Sequence, residues 1–126
     1  MYNLKPFFTL FFFLLTFSIT AQSVVGDWQM SVTNPEGQTM TIKLSISEGS
    51  SFTVDLGNDG SIDVNGEYQL EGDQMTIKGV SGPAVQCQEA GIYKVEITAD
   101  TLKMTRVSDP CQERGGPEGV MEFKRA

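Results

Sequence analysis

One short spelling recurs three times along the chain and constrains its fold more than any other feature. Gly26-Asp27-Trp28-Gln29-Met30, Gly66-Glu67-Tyr68-Gln69-Leu70 and Gly91-Ile92-Tyr93-Lys94-Val95 each place a glycine, an aromatic and an apolar residue at every second position. At period two the aromatic and the next apolar residue share one face of an extended strand. No segment sustains a helical period, and Gly, Asn, Asp and Ser interrupt the chain every several residues. That is the pattern of an all-β meander. The expected strands are 26–33, 39–47, 51–56, 61–70, 74–80, 91–98, 101–107 and 119–125. Antiparallel strands of that number, joined in sequence within one small domain, predict a closed eight-stranded up-and-down barrel, because closure removes exposed edges.

Register follows from the same alternation. With Ala99-Asp100 as a two-residue turn, Ile97 faces Leu102, Val95 faces Met104 and Tyr93 faces Arg106, while Glu96 meets Lys103 on the outer face. Around Gly72-Asp73, Leu70 meets Met75, Tyr68 meets Ile77 and Glu67 meets Lys78. Ile46 faces Phe52, Leu44 faces Val54 and Val54 faces Val64. A slip of one residue in either hairpin would set apolar side chains against polar ones, so the pairing is strongly specified.

Residues 1–21 read as a signal peptide rather than as part of the fold. Lys5 supplies the positive region, Phe7 to Phe17 the apolar one, and Ile19-Thr20-Ala21 leads to cleavage after Ala21, with Ser23 as the alternative point. The apolar run is too short to span a bilayer comfortably, and no cysteine follows it to carry a lipid. Residues 22–126 then form one exported domain, periplasmic or secreted. A domain this small gains from a staple, and export with two cysteines predicts a Cys87–Cys111 disulfide. Such a bridge contributes on the order of 3 kcal/mol in the chain-entropy model. The formal charge is −7 with no histidine, which disfavours nucleic acid and anionic membrane as partners. A monomer is expected.

Up-and-down connectivity sorts the loops between two ends. Short turns near Gly49, Gly72 and Ala99 lie with the start of the first strand. The longer loops, 34–38, 57–60, 81–90 and 108–118, lie at the other end and mark it as the mouth, with both cysteines in the two longest. At this point the chain resembles the lipocalin-like (calycin-type) barrels. Gly26-Asp27-Trp28 matches the Gly-x-Trp opening of that family, and Arg125, on the parity of Met121 and Phe123, falls where the family packs an Arg across that Trp. Residues 91–93, 100–102 and 109–114 resemble segments of small exported bacterial proteins of this type. The resemblance implies extracellular binding of a small apolar or amphipathic molecule.

The absence of histidine removes the usual catalytic triads, most zinc sites and the commonest general base. Acidic residues fall mainly on outward parity or in loops, with none marked as buried, so the chain is expected to bind rather than catalyse, with no cofactor and no metal. Residues 55–63 faintly resemble a calcium loop, but Gly57 stands where an oxygen ligand is needed, and a hairpin turn is the plainer reading. Met30, Met40, Met75, Met104 and Met121 all take the inward parity, suiting either an adaptable lumen or a plugged one. Arg106, pointing inward beside Tyr93 near the mouth, could grip a ligand carboxylate, or bend into water, or pair with Asp109 or Glu113. Arg114 is expected to tie to the nearby acids, and Tyr68 and Tyr93 to be core aromatics facing the ligand space. The expected ligand-binding set is Arg106, Tyr93, Tyr68, Met30, Met40, Met75 and Met104. The alternative is a protein-binding or inhibitor module with a packed lumen that acts through its rim loops.

Overall fold

The computed structural model describes residues 23–116 and 118–126, so segment 1–21, expected to be a signal peptide, lies outside the described residues. The strands are β1 (Gly26–Thr33), β2 (Thr39–Ile46), β3 (Ser51–Leu56), β4 (Val64–Glu71), β5 (Gln74–Ser81), β6 (Gly91–Thr98), β7 (Thr101–Ser108) and β8 (Val120–Arg125). They close into one antiparallel barrel in chain order, with no helix among the described residues. Every register derived from the alternation is present, including Tyr93 opposite Arg106, Tyr68 opposite Ile77 and Leu44 opposite Val54.

Differences from expectation are confined to strand ends. β4 begins at Val64 rather than residue 61, because the preceding loop is folded by its own acids. The Asp55 carboxylate accepts the Asp59 and Gly60 amides, and Asp63 accepts the Leu56 amide at 2.7 Å. β5 and β7 each run one residue further, through register shifts beside Asn65/Gly66 and Ile92/Tyr93. The residues those shifts leave unpaired, Val80 and Val107, point outward and are exposed.

Trp28, Leu102 and Tyr93 are fully buried, and Val95, Met104 and Phe123 pack with them in one continuous inner layer. The closed end has a floor. Val24 is buried, and the Trp28 indole donates to its carbonyl oxygen at 2.8 Å. The Arg125 guanidinium lies 4.1 Å from the centre of the Trp28 ring and donates to the carbonyl oxygens of Val25 and Ser23. With Arg125 itself exposed, the cation–π contact contributes about 0.5–1 kcal/mol.

The three recurring glycines have a common physical cause. A side chain from elsewhere lies where each one's Cβ would be: the Arg125 guanidinium at Gly26, the Phe52 ring at Gly66, and the Asp109 and Arg114 side chains at Gly91. Phe52 is the cross-strand partner of Gly66, and its ring on the inner face occupies the space a side chain at Gly66 would take. Gly66→Ala would drive that ring away and set the new methyl 2.8 Å from the Lys78 carbonyl oxygen. The expected loss is about 2–3 kcal/mol by chemical denaturation, with Phe52→Ala in the same chain recovering part of it. A neutral Gly66→Ala would refute this account of the glycine.

Candidate functional site

The barrel and its mouth loops line a partly open cavity of about 890 Å³. Its wall is built from inward positions of every strand except β6, together with residues 84–87 and 110–115 of the two long loops at the mouth. The two sides of the lumen differ. On β5, β7 and β8 the inward residues Met75, Ile77, Met104 and Phe123 are buried by their neighbours. On β1 to β4, Leu44 and Ile46 are buried as well, but Met30, Ile42, Phe52, Val54, Val64 and Tyr68 point inward and are only half-buried, and with the half-buried Met121 of β8 they carry most of the accessible apolar surface.

Glycines shape this wall. Gly66 and Gly79 are cross-strand partners on the inner face. Phe52 lies over the first, and Val85 of the β5–β6 loop sits 3.4 Å from where a Cβ on the second would be. The wall is therefore hollowed, and two flanking apolar side chains fold into the recess. Tyr68 lines the cavity and donates its hydroxyl to the Ser47 carbonyl at 2.5 Å, so its polar atom is satisfied.

The mouth is partly roofed by the two long loops, which the Cys87–Cys111 disulfide joins with Cα atoms 5.9 Å apart. Both cysteines line the cavity. Behind the disulfide lies a buried polar cluster. The Asp109 side chain is 0% exposed and takes two parallel bonds from Arg114, Nε and Nη2 each at 2.8 Å. It also accepts the Cys111 amide and the Tyr93 hydroxyl. Arg114 reaches on to the Glu89 carbonyl at 2.7 Å, tying one loop to the other.

Charges in this cluster are set by those contacts. Burial alone would raise the Asp109 pKa, but the Arg114 guanidinium, the Tyr93 hydroxyl and the Cys111 amide together hold it below the usual carboxylate value. Burial first, and then Asp109, push the Tyr93 phenol up. Burial works against the Arg114 cation, and Asp109 more than restores it. At the neighbouring loop burial likewise opposes ionisation of Asp55, and the Gly60 and Asp59 amides outweigh it and lower its pKa.

The expected site residues divide between these two regions. Met30, Met75, Met104 and Tyr68 line the cavity, as does Met121. Met40 stands at the mouth end of β2, 39% exposed and outside the wall. Tyr93 is fully buried and faces the Asp109 cluster. Arg106 is half-buried and pairs with neither of the two acids named for it. Its Nη2 donates to the carbonyl oxygens of Gln112, Arg114 and Gly116, so it holds the β7–β8 loop in shape, while its buried Nε has no partner among the described residues. Alternation carries an inward side chain to the right place but is silent on a loop that folds back over it.

One expectation about acids is corrected. Asp55 is 5% exposed and the Asp109 side chain is fully enclosed. Both lie near the ends of strands, where parity stops being informative about burial, and both are covered by the loops they begin, whose amides they accept. Asp55, Asp59 and Asp63 bring a carboxylate oxygen each within 4.8 Å of one another. Two of these carboxylates are already engaged with Leu56, Asp59 and Gly60 amides, as a hairpin turn requires.

Two outcomes follow. Arg106→Ala should lower stability by about 1–2 kcal/mol and speed amide exchange selectively in residues 112–119, because three carbonyls lose their donor. Unchanged exchange there would show that the loop holds without it. For Asp109, the folded pKa lies below the ordinary 3.8. Its stabilisation is thus complete above that pH and disappears as pH falls through the lower folded value. Asp109→Asn should therefore be less stable at neutral pH yet lose less on acidification, measured as denaturant midpoints from about pH 5 down to about pH 2. The remaining acid slope belongs in part to Asp55, whose shift has the same direction.

No family model, no curated protein and no solved structure matches the chain. The architecture is consistent with a calycin-like fold on its own geometry: eight antiparallel strands, closed, with one disulfide.

Proposed function

We propose that this chain is an exported binding protein that holds one small apolar or amphipathic molecule inside its barrel. The observation that carries this reading is the 890 Å³ cavity with half-buried apolar residues on one wall. That volume falls within the range of small-molecule sites, which are mostly apolar with a few placed polar groups. The signal-like segment 1–21 and the disulfide support an oxidising destination outside the cytoplasm. A module with a packed lumen is the weaker reading, because the 890 Å³ cavity is lined by inward residues of seven strands as well as by the mouth loops.

Binding without catalysis is part of the same proposal. The buried carboxylates Asp55 and Asp109 both have lowered pKa values and are occupied by amides and an arginine. Neither is poised as a general acid near neutrality, which needs a raised value.

Native mass spectrometry of the mature protein from its own export route, followed by denaturing extraction, tests the proposal. A stoichiometric small molecule that leaves on unfolding is the expected result. Val54→Trp, which fills the lumen from its open wall, should keep the far-ultraviolet spectrum and carry none. A bare polypeptide mass with no uptake of apolar probes would overturn the reading.

A further inference from the structure

The four loops at the mouth, residues 34–38, 57–63, 82–90 and 109–119, carry Glu36, Asp59, Asp63, Glu89, Asp109, Glu113 and Glu118 against the single base Arg114. That leaves a balance of −6 at one end of a chain whose total is −7. The loops hold no lysine. Asp109 and Arg114 cancel each other through their paired bonds. Arg106, at the mouth end of β7, is turned onto three backbone carbonyls and does not line the cavity. Glu113 does line it, is exposed, and has no ion-pair partner among the described residues. Gln86 and Gln112 stand at the same opening with exposed amides.

Below this ring the strand wall is hydrocarbon and thioether, and Tyr68, its one hydroxyl-bearing strand residue, is already bonded to Ser47. A ligand's apolar body therefore goes down and its polar end stays among the loops. A carboxylate head there would meet a field of its own sign, and Arg114, the cation that lines the cavity, is already paired with Asp109. An ammonium head would meet Glu113 and the excess of acids, and low-dielectric walls focus such a field into the opening. We infer that the cavity selects amphiphiles with a positively charged head group and discriminates against fatty carboxylates. This inference rests on the container reading proposed above and replaces the expected carboxylate grip by Arg106.

Three probes of equal chain length separate the two ideas: decyltrimethylammonium, decanol and decanoate, titrated below their aggregation concentrations at neutral pH and low ionic strength. The ammonium should bind about tenfold or more tightly than the carboxylate, with the alcohol between them. The gap should shrink at about 0.5 M salt, where the Debye length falls to a few ångströms. A chain carrying Glu89→Gln, Glu113→Gln and Glu118→Gln, all exposed, should keep its affinity for decanol while the gap between the charged probes narrows. Decanoate binding as tightly as the ammonium, or all three binding alike, would overturn the head-group inference and leave the container intact. Failure of all three, decanol included, would overturn the container as well.

Discussion

The structure depends on closing a sheet upon itself through a short seam. β1 and β8 share the pairs Trp28–Arg125 and Gln29–Lys124, whereas β1 and β2 are paired along their whole length. Backbone bonding alone makes this the weakest junction of the barrel. Side chains reinforce it: Arg125 covers the Trp28 ring and reaches the carbonyls of Ser23 and Val25, and Trp28 bonds to Val24. Without that lock the first and last strands would each present an unpaired edge, and the lumen would open sideways to solvent.

Glycine acts in this fold through absence of a side chain as much as through turn geometry. At Gly26 the missing Cβ admits the closing arginine, at Gly91 it admits the ion pair under the mouth, and at Gly66 it receives a phenyl ring. Floor, roof and wall are thus each fitted around a bare backbone. The recurrence visible in the sequence reflects one packing device used at three places, and none of these places is redundant.

Much of the fold was legible in the residues, because period-two alternation determines face, and face determines register. The hairpins around Gly72 and Ala99 could be aligned residue by residue for that reason. Legibility stopped where the strands end. Asp55 and Asp109 are covered by loops whose amides they accept, and Arg106 is roofed by a loop that no periodicity describes. For the candidate site, parity places Met30, Met75, Met104 and Tyr68 along the cavity but also points to Met40, which stands outside it, and it does not show that Tyr93 and Arg106 bond to the loops of the mouth. Cavity size was beyond reach of the pattern, since it depends on where Phe52 and Val85 lie rather than on which face they occupy.

The floor has a further consequence for how the molecule can be held. Ser23 and Val25 are gripped by Arg125, and the Ala126 amide donates to the Asp27 carbonyl at 2.9 Å. Both ends of the described chain therefore emerge on the face opposite the mouth. Any tether attached at either end, whether an affinity tag, a fusion partner or a surface linkage, points the opening outward and leaves the path into the lumen clear.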